Sequence, residues 1–298
     1  MNSNKSYDTQ VRGSGEALRW VRDRVGMPLD KIGQLGGHSV PRTYRPGTGI
    51  TGAELIFTLS KRLREYEKRD NSPVRVLFRT RVMSVQTEKN DEDLDSVVGV
   101  RCEPVKGKKK KKKQNAKETT MTGPFELYGH NVVLATGGFG YDFDGTKSLI
   151  TSLRPDLSNF ATTNGPWATG DGQKMAMELG AKTIDMSSVQ VHPTGFVDPK
   201  HPDAKQKTLC AELLRGVGAV LLNSEGKRFA NELGTRDYIA KRMREEAQNA
   251  GKEDLHFHLM LNANSAAEPD KHVPLYVVFE REISLIIHNS NRSYIARL

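Results

Sequence analysis

Apolar and polar positions alternate along this chain with two periods, and each period predicts an element. Leu55, Ile56, Leu59 and Leu63 recur at helical spacing among Lys61, Arg62, Glu65, Glu67 and Lys68, which predicts an amphipathic helix with the leucine-rich stripe buried. Thr51 is its expected N-cap, Glu54 stands at the capping-box position, and Asn71-Ser72-Pro73 ends it. Residues 1 to about 50 read mostly as loop, with a short helix around Glu16 to Arg24. Val74 to Phe78 and Arg81 to Val85 read as strands, as do Val97 to Cys102 and Phe125 to Tyr128. Asn131-Val132-Val133-Leu134-Ala135 is a continuous apolar run, suited to a strand buried on both faces, and it runs into Thr136-Gly137-Gly138. Thr169-Gly170-Asp171-Gly172 precedes a helix over Gln173 to Leu179 that Gly180 stops, with Asp171 a candidate cap. Met186-Ser187-Ser188-Val189-Gln190-Val191 alternates like a strand, which Pro193 interrupts. Asn223 to Asn231 reads as a hairpin turn leading into a helix near Arg236.

Composition changes this picture in few places. With 298 residues, two domains are expected. The net charge of +9 suggests a nucleic-acid partner until its location is considered. Lys106 and Lys108 to Lys113 carry seven of the charges, leaving +2 elsewhere, and they lie in a low-complexity stretch, 106–117, between two predicted strands. That is a solvated loop extending a hairpin, able to attract polyanions weakly, and no aromatic platform or recognition helix accompanies it. Nucleic-acid binding is therefore not expected. No run approaches a membrane-spanning helix, and the polar stretch Met1 to Gln10 is no secretory signal. Cys102 and Cys210 have neither metal nor redox spacing; both are expected to be small packed residues in a reducing compartment, and no metal site is expected.

The candidate chemistry lies in the second half. His192-Pro193-Thr194 places an imidazole where a strand gives way to a loop. Glu212 and Arg215 in Glu212-Leu213-Leu214-Arg215-Gly216 are three apart and share a face on a helix or tight turn. Asn231-Glu232-Leu233-Gly234-Thr235-Arg236-Asp237 adds a second arginine. Two guanidinium forks and a histidine converging on one pocket would suit a small dicarboxylate. Taken singly, each residue has an ordinary alternative: a Glu-x-x-Arg pair decorates surfaces, a strand-end histidine satisfies hydrogen bonds, and Arg236 pairs with Asp237 or Glu232. The glycines of Thr136-Gly137-Gly138 either form an ordinary tight turn or let backbone amides approach a cofactor.

From about residue 28 to 265 the chain resembles the flavoprotein of the fumarate reductase and succinate dehydrogenase superfamily. It is most similar to the soluble fumarate reductases, including the NADH-dependent ones of kinetoplastid protists. The stretches that carry the resemblance are Ala135-Thr136-Gly137-Gly138-Phe139, Thr163 to Gly172, Gln190 to Thr194, Glu212 to Gly216, and Arg228 to Glu232 with Thr235-Arg236-Asp237. Gly36-Gly37-His38-Ser39 and Arg42 to Pro46 extend it toward the N-terminus.

The resemblance implies an α/β fold in which a partial FAD-binding domain spans 1–186, an α+β capping domain spans 187–272, and a divergent tail covers 273–298. The dinucleotide-binding Gly-x-Gly-x-x-Gly turn of such folds is absent, since Gly13-Ser14-Gly15 has no strand before it and no third glycine. The chain is accordingly expected to be the middle of a larger protein, and to hold FAD weakly. By resemblance, Ala135, Gly137, Gly138, Thr163, Asn164 and Asp171 contact the flavin, and His192 and Glu212 bind the substrate. Arg236 then protonates fumarate after hydride transfer from reduced FAD, and Glu212 and Arg215 return the proton to it. Ala211 departs from the threonine that many relatives have before the relay glutamate. The resemblance leaves the electron donor open, with NADH acting through domains absent here as one candidate. Two alternatives stand beside fumarate reduction: another oxidoreductase of the superfamily, of aspartate oxidase or ketosteroid dehydrogenase type, or a non-catalytic fragment unable to hold FAD. The tail, with Glu280 to Ile287, is either an unusual variant or an aberrant reading frame. Ala296-Arg297-Leu298 resembles a peroxisomal address, which would suit a glycosome; mitochondrion or cytoplasm is the other expectation.

Overall fold

The computed structural model describes residues 3–47, 49–89, 92, 95–105, 123–251, 257–262 and 293–297, with the backbone alone for 3–7, 262 and 293–297. The lysine-rich loop and most of the divergent tail therefore lie outside the described residues, as does Leu298. The chain forms two units: residues 1–73, 161–163 and 190–298 make the first, and residues 74–160 and 164–189 the second. The first 73 residues thus group with the segment from Gln190 onward rather than with the rest of 1–186.

The first unit opens with α1 (Ser3–Arg19), which continues through a π turn over Trp20–Val25 to Gly26, whose φ of 80° closes it. A helix begins at Ser3, well before the expected Glu16. Two short strands, β1 (Lys31–Gly33) and β2 (Thr43–Arg45), pair antiparallel ahead of α2 (Thr51–Glu67). Thr51 is the first residue of α2 rather than its cap; Ile50 occupies that place and its carbonyl accepts from the Glu54 amide at 2.9 Å. The expected buried stripe is not observed, because Leu55 and Leu59 are half-buried while Ile56 and Leu63 are exposed.

The packed heart of this unit begins near Gly195. β6 (Gly195–Phe196) pairs with β7 (Thr208–Leu209), followed by α5 (Glu212–Gly216), β8 (Val220–Leu222) and α6 (Arg236–Asn249). β9 (His258–Asn262) is the centre of an antiparallel sheet between β8 and β10 (Ser293–Arg297). Leu214 from α5, Leu221 from β8, Ile239 from α6, and Leu259 and Leu261 from β9 bury one face each into a common core with Phe196, Cys210 and Phe229. Phe229 and Phe257 pack with ring centroids 5.0 Å apart. Burial at this density is what orders such short elements, since helices of five residues have no stability alone. Gln190 and Val191, expected to end a strand, have no regular structure; no described strand pairs with 186–191.

In the second unit, β3 (Thr80–Lys89), β4 (Asp95–Pro104) and β5 (Phe125–Tyr128) form an antiparallel sheet. Val74 to Phe78 is not a strand; the first hairpin runs between 80–89 and 95–104 instead. α3 (Leu149–Leu153) is capped by Ser148, whose Oγ accepts from the Thr151 amide at 3.0 Å. α4 (Asp171–Glu178) starts after Gly170, which takes φ of 69° and stands as the cap in place of Asp171. Buried Asp142 ties the two helices together, accepting the Leu149 amide at 2.7 Å and the Lys174 ammonium at 2.8 Å. Asn131 to Ala135 is not a strand, and Val133 is 87% exposed. A run of this kind is a strand only when neighbours supply hydrogen bonds and cover both faces. No described strand lies beside it. Every strand pair among the described residues is antiparallel, with one isolated parallel bridge between Thr162 and Gln206, and the fold mixes helix and strand. No described helix is long and apolar enough to cross a membrane.

Candidate active site

Glu212, Arg215 and Arg236 form one hydrogen-bonded chain in the first unit. α5 presents Glu212 and Arg215 on one face three residues apart, and Arg215 Nη2 donates to Glu212 Oε1 at 3.1 Å. Arg236 is the first residue of α6, where Thr235 caps the helix by accepting from the Tyr238 amide at 3.3 Å. From there Arg236 grips the same carboxylate with a fork, Nε to Oε1 at 3.0 Å and Nη2 to Oε2 at 3.0 Å. Its Nη1 donates to Gln190 Oε1 at 2.6 Å. The pairing with Asp237 or Glu232 open from sequence is therefore not the one adopted.

Burial grades across this chain. The Arg215 side chain is fully buried and that of Glu212 is 10% exposed, whereas that of Arg236 is 38% exposed. The outer arginine therefore meets solvent or a ligand, and the inner one does not. Burial by itself would push the Glu212 carboxyl up; the Arg236 fork and the charges of Arg236 and Arg215 outweigh it and hold the group below its ordinary value. The hydrogen bonds that Arg236 donates to Glu212 raise the Arg236 pKa, while burial lowers that of Arg215. The triad carries a net single positive charge, so it suits an anion.

Arg215 is further held by the Glu232 carbonyl, which accepts from Nη1 at 2.7 Å. Its Nε has no hydrogen-bond partner among the described residues. The room for this guanidinium comes from Gly36, where an added Cβ would lie 2.9 Å from Arg215 Nη1 and 3.1 Å from the Gly234 carbonyl. The backbone of 34–37 closes over α5, since a Cβ on Gly216 would strike the Gln34 carbonyl and the Gly37 amide donates to Leu233 O at 2.8 Å. Gln190, Gly36 and Glu232 were not among the expected site residues. Each stands inside a motif that the sequence offered, but nothing in spacing says that a glycine there makes room for an arginine.

His192 lies in the same unit, half-buried. Its Nδ1 is 2.9 Å from the Thr194 carbonyl and 3.4 Å from the Thr194 amide. A carbonyl oxygen only accepts, so the shorter contact puts a proton on Nδ1 and turns Nε2 away for another partner. Thr194 is itself anchored, its Oγ1 donating to the Cys210 carbonyl at 2.9 Å. Burial lowers the His192 pKa, and the charges of Arg236, Glu212 and Arg215 also act on it, which places the four groups in one electrostatic field. Cys210 is a packed thiol, as expected, with burial pushing it up to about 12. Ala211 precedes α5 and gives it no side-chain cap. No group of metal ligands occurs among the described residues.

The residues expected at a flavin fall mostly in the second unit: Ala135, Gly137, Gly138, Asn164 and Asp171. Thr163 falls in the first. Gly137 takes φ of 78°, and a Cβ built on either Gly137 or Gly138 meets nothing within 4 Å. That leaves an open backbone edge which a flat ring system can approach, so these residues fit one side of a flavin. The turn is fixed from behind by the Gly170 amide donating to Gly138 O at 3.2 Å and by Gln173 Nε2 donating to Gly137 O at 2.8 Å. Asn164 packs its amide against Gly140, and Asp171 accepts from Thr169 Oγ1 at 2.7 Å and lies 3.6 Å from Arg81.

Comparison with known proteins gives the chain's relatives. The family described as FAD binding domain matches residues 2–283. A fumarate reductase of Schizosaccharomyces pombe is 38% identical over 270 residues, 90% of this chain and 47% of that protein. Fumarate reductase 1 of Saccharomyces cerevisiae is 36% identical over 225 residues, 75% of this chain and 43% of that protein. The chain thus spans about half the length of the curated relatives it matches. The open conformation of a flavocytochrome c3 fumarate reductase aligns with a TM-score of 0.59 at 23% identity, over 96% of this chain and 50% of that one, which is a likeness of fold. The match over nearly the whole chain leads to one assignment: this chain belongs to the FAD binding domain family.

Proposed function

We propose that this chain carries the substrate chemistry of a flavin-dependent fumarate reductase, with its capping domain beginning near residue 187. The observation that carries the reading is the unbroken Arg215–Glu212–Arg236 chain, with every link between 3.0 and 3.1 Å. Ala135, Gly137, Gly138, Thr163, Asn164 and Asp171 would hold FAD, which when bound and reduced supplies a hydride to one alkene carbon. The second carbon then becomes a carbanion, and Arg236 donates the proton that completes succinate.

An arginine is an improbable acid, since its pKa exceeds about 12. A carbanion at contact distance is a far stronger base, and the partly exposed end of the triad is the end that can reach it. Glu212 is positioned to pass a proton back to Arg236, and Arg215 to resupply Glu212. His192 directs Nε2 to a substrate carboxylate, which it can hold only when that nitrogen carries a proton, so a dianion would draw one onto it. The Arg236 fork and a protonated His192 beside a diacid stabilise charge that grows during the reaction, which is differential transition-state binding. NADH is the electron donor to test first.

The test is reduction of fumarate by the protein at saturating FAD, with a reduced viologen as donor and succinate measured as product. Fumarate-dependent viologen oxidation is expected, with none for L-aspartate or a 3-ketosteroid. Flavin turnover on either of those substrates, without succinate from fumarate, would replace this reading with another oxidoreductase.

A further inference from the structure

We propose that Glu232 is a positioning residue that sets both arginines of the triad against Glu212 without touching the substrate. The inference rests on the proton-relay reading above and extends it to a residue outside the relay.

Glu232 is 4% exposed, in the turn that leads into α6. Its Oε1 accepts the Leu221 amide at 3.0 Å and Arg228 Nε at 3.0 Å, and its Oε2 accepts Arg228 Nη2 at 2.6 Å. Burial alone would raise this carboxyl; the Arg228 fork and the backbone donor keep it below its ordinary value. The carboxylate is thus tied to β8 on one side and to Arg228 on the other. That fixes the peptide whose carbonyl receives Arg215 Nη1 at 2.7 Å.

Arg215 has few other constraints. Its guanidinium is held by two acceptors, the Glu232 carbonyl and Glu212 Oε1, while Nε has no hydrogen-bond partner among the described residues. With one of the two gone, a planar fork can rotate about the remaining bond, and the aim of Nη2 at Glu212 is lost. The same turn reaches Thr235, the cap of α6, three residues later, and Arg236 follows. One buried carboxylate therefore registers the inner arginine by its own carbonyl and the outer one by the start of the helix that carries it.

Two measurements on the 298-residue chain test this. Glu232→Gln keeps the size and an acceptor for the Leu221 amide but removes the charge that Arg228 grips; Arg228→Lys keeps a positive charge and loses the fork, and carries the test if Glu232→Gln does not fold. The first measurement is hydrogen exchange of the Arg215 Nε–H in ¹⁵N-arginine-labelled protein, with the signal assigned by its disappearance in Arg215→Lys. Exchange is expected to quicken by roughly tenfold or more in either variant. The second is steady-state fumarate reduction at saturating FAD. There kcat is expected to fall by roughly tenfold to a hundredfold from misplacement of the relay, with KM within about twofold because no substrate contact is lost. A lower melting temperature with unchanged Arg215 exchange and unchanged kcat would overturn the proposal, leaving Glu232 a plain structural ion pair. If wild-type protein does not reduce fumarate, the functional reading fails, and the exchange measurement still decides whether Glu232 aims Arg215.

Discussion

The Glu212 cluster and the Asn131 to Gly138 segment are the two regions to which chemistry is assigned, and they are built in opposite ways. Around Glu212, both carboxylate oxygens have guanidinium partners, and the elements bearing them stand on a core of Leu214, Leu221 and Ile239. Along Asn131 to Gly138, Val133 and Leu134 are exposed and the glycine turn faces open space, held only from behind. The first region is preorganised by residues that its own unit brings together from distant points of the chain, Gly36, Gln190 and Arg236 among them. The second supplies a backbone edge and depends on whatever lies against it. Preorganised polar groups cost no rearrangement during a reaction, so the proposed proton path is where such rigidity matters.

The largest expected effect comes from removing the hub of the first region. Glu212→Ala leaves buried Arg215 without its counter-charge and should destabilise the chain by about 3–5 kcal/mol in urea unfolding. A loss below about 1 kcal/mol would mean that the triad is a surface pair. Next is the core beneath it: Leu214→Ala should cost about 2–5 kcal/mol, whereas Val133→Ser in the open segment should change stability by no more than about 0.5 kcal/mol. Equal effects in thermal melts would erase the contrast between the two regions. The glycines sharpen it further. Gly36→Ala pushes a methyl against Arg215 and the Gly234 carbonyl and should cost about 1–3 kcal/mol, while Gly138→Ala meets nothing and should be near neutral in the chain alone.

The smallest expected effect is on pH dependence. His192 and Glu212 both have folded pKa values below their ordinary ones of 6.5 and 4.5. A lowered folded pKa means that the unfolded chain takes up the proton first, so stability is present above the ordinary value and lost as pH falls through the folded one. The urea midpoint should therefore decline in two steps, one starting near pH 6.5 and one near pH 4.5. His192→Asn should abolish the upper step alone; an unchanged profile would show that the imidazole is not held neutral by burial.

Local pattern made the residues of the Glu212 cluster legible, but not their partners. Glu212 and Arg215 three apart, and a turn leading into a helix at Arg236, are statements about neighbours in sequence, and the structure keeps them. That Arg236 chooses Glu212 over Asp237 or Glu232 depends on how α5 and α6 meet across a shared core, which no local spacing encodes. The amphipathic pattern of α2 foretold a helix, yet its stripe is not buried, because periodicity specifies a face and not what covers it. The run Asn131 to Ala135 failed for a related reason. Its composition fits a strand between two others, and strand conformation requires those partners. Gly36 was legible as a motif residue and became meaningful only beside the guanidinium it admits.

Arg236 is the outermost member of the proposed proton path. The direct measurement is fumarate reduction by Arg236→Ala at saturating FAD, with flavin content read from the same samples. The expected result is a loss of kcat of roughly a hundredfold to ten-thousandfold with flavin content unchanged, little recovery in Arg236→Lys, and a smaller loss in Glu212→Gln. Near-normal turnover in Arg236→Ala would contradict the account, and Arg236 would then be no more than a helix-end residue paired with a buried carboxylate.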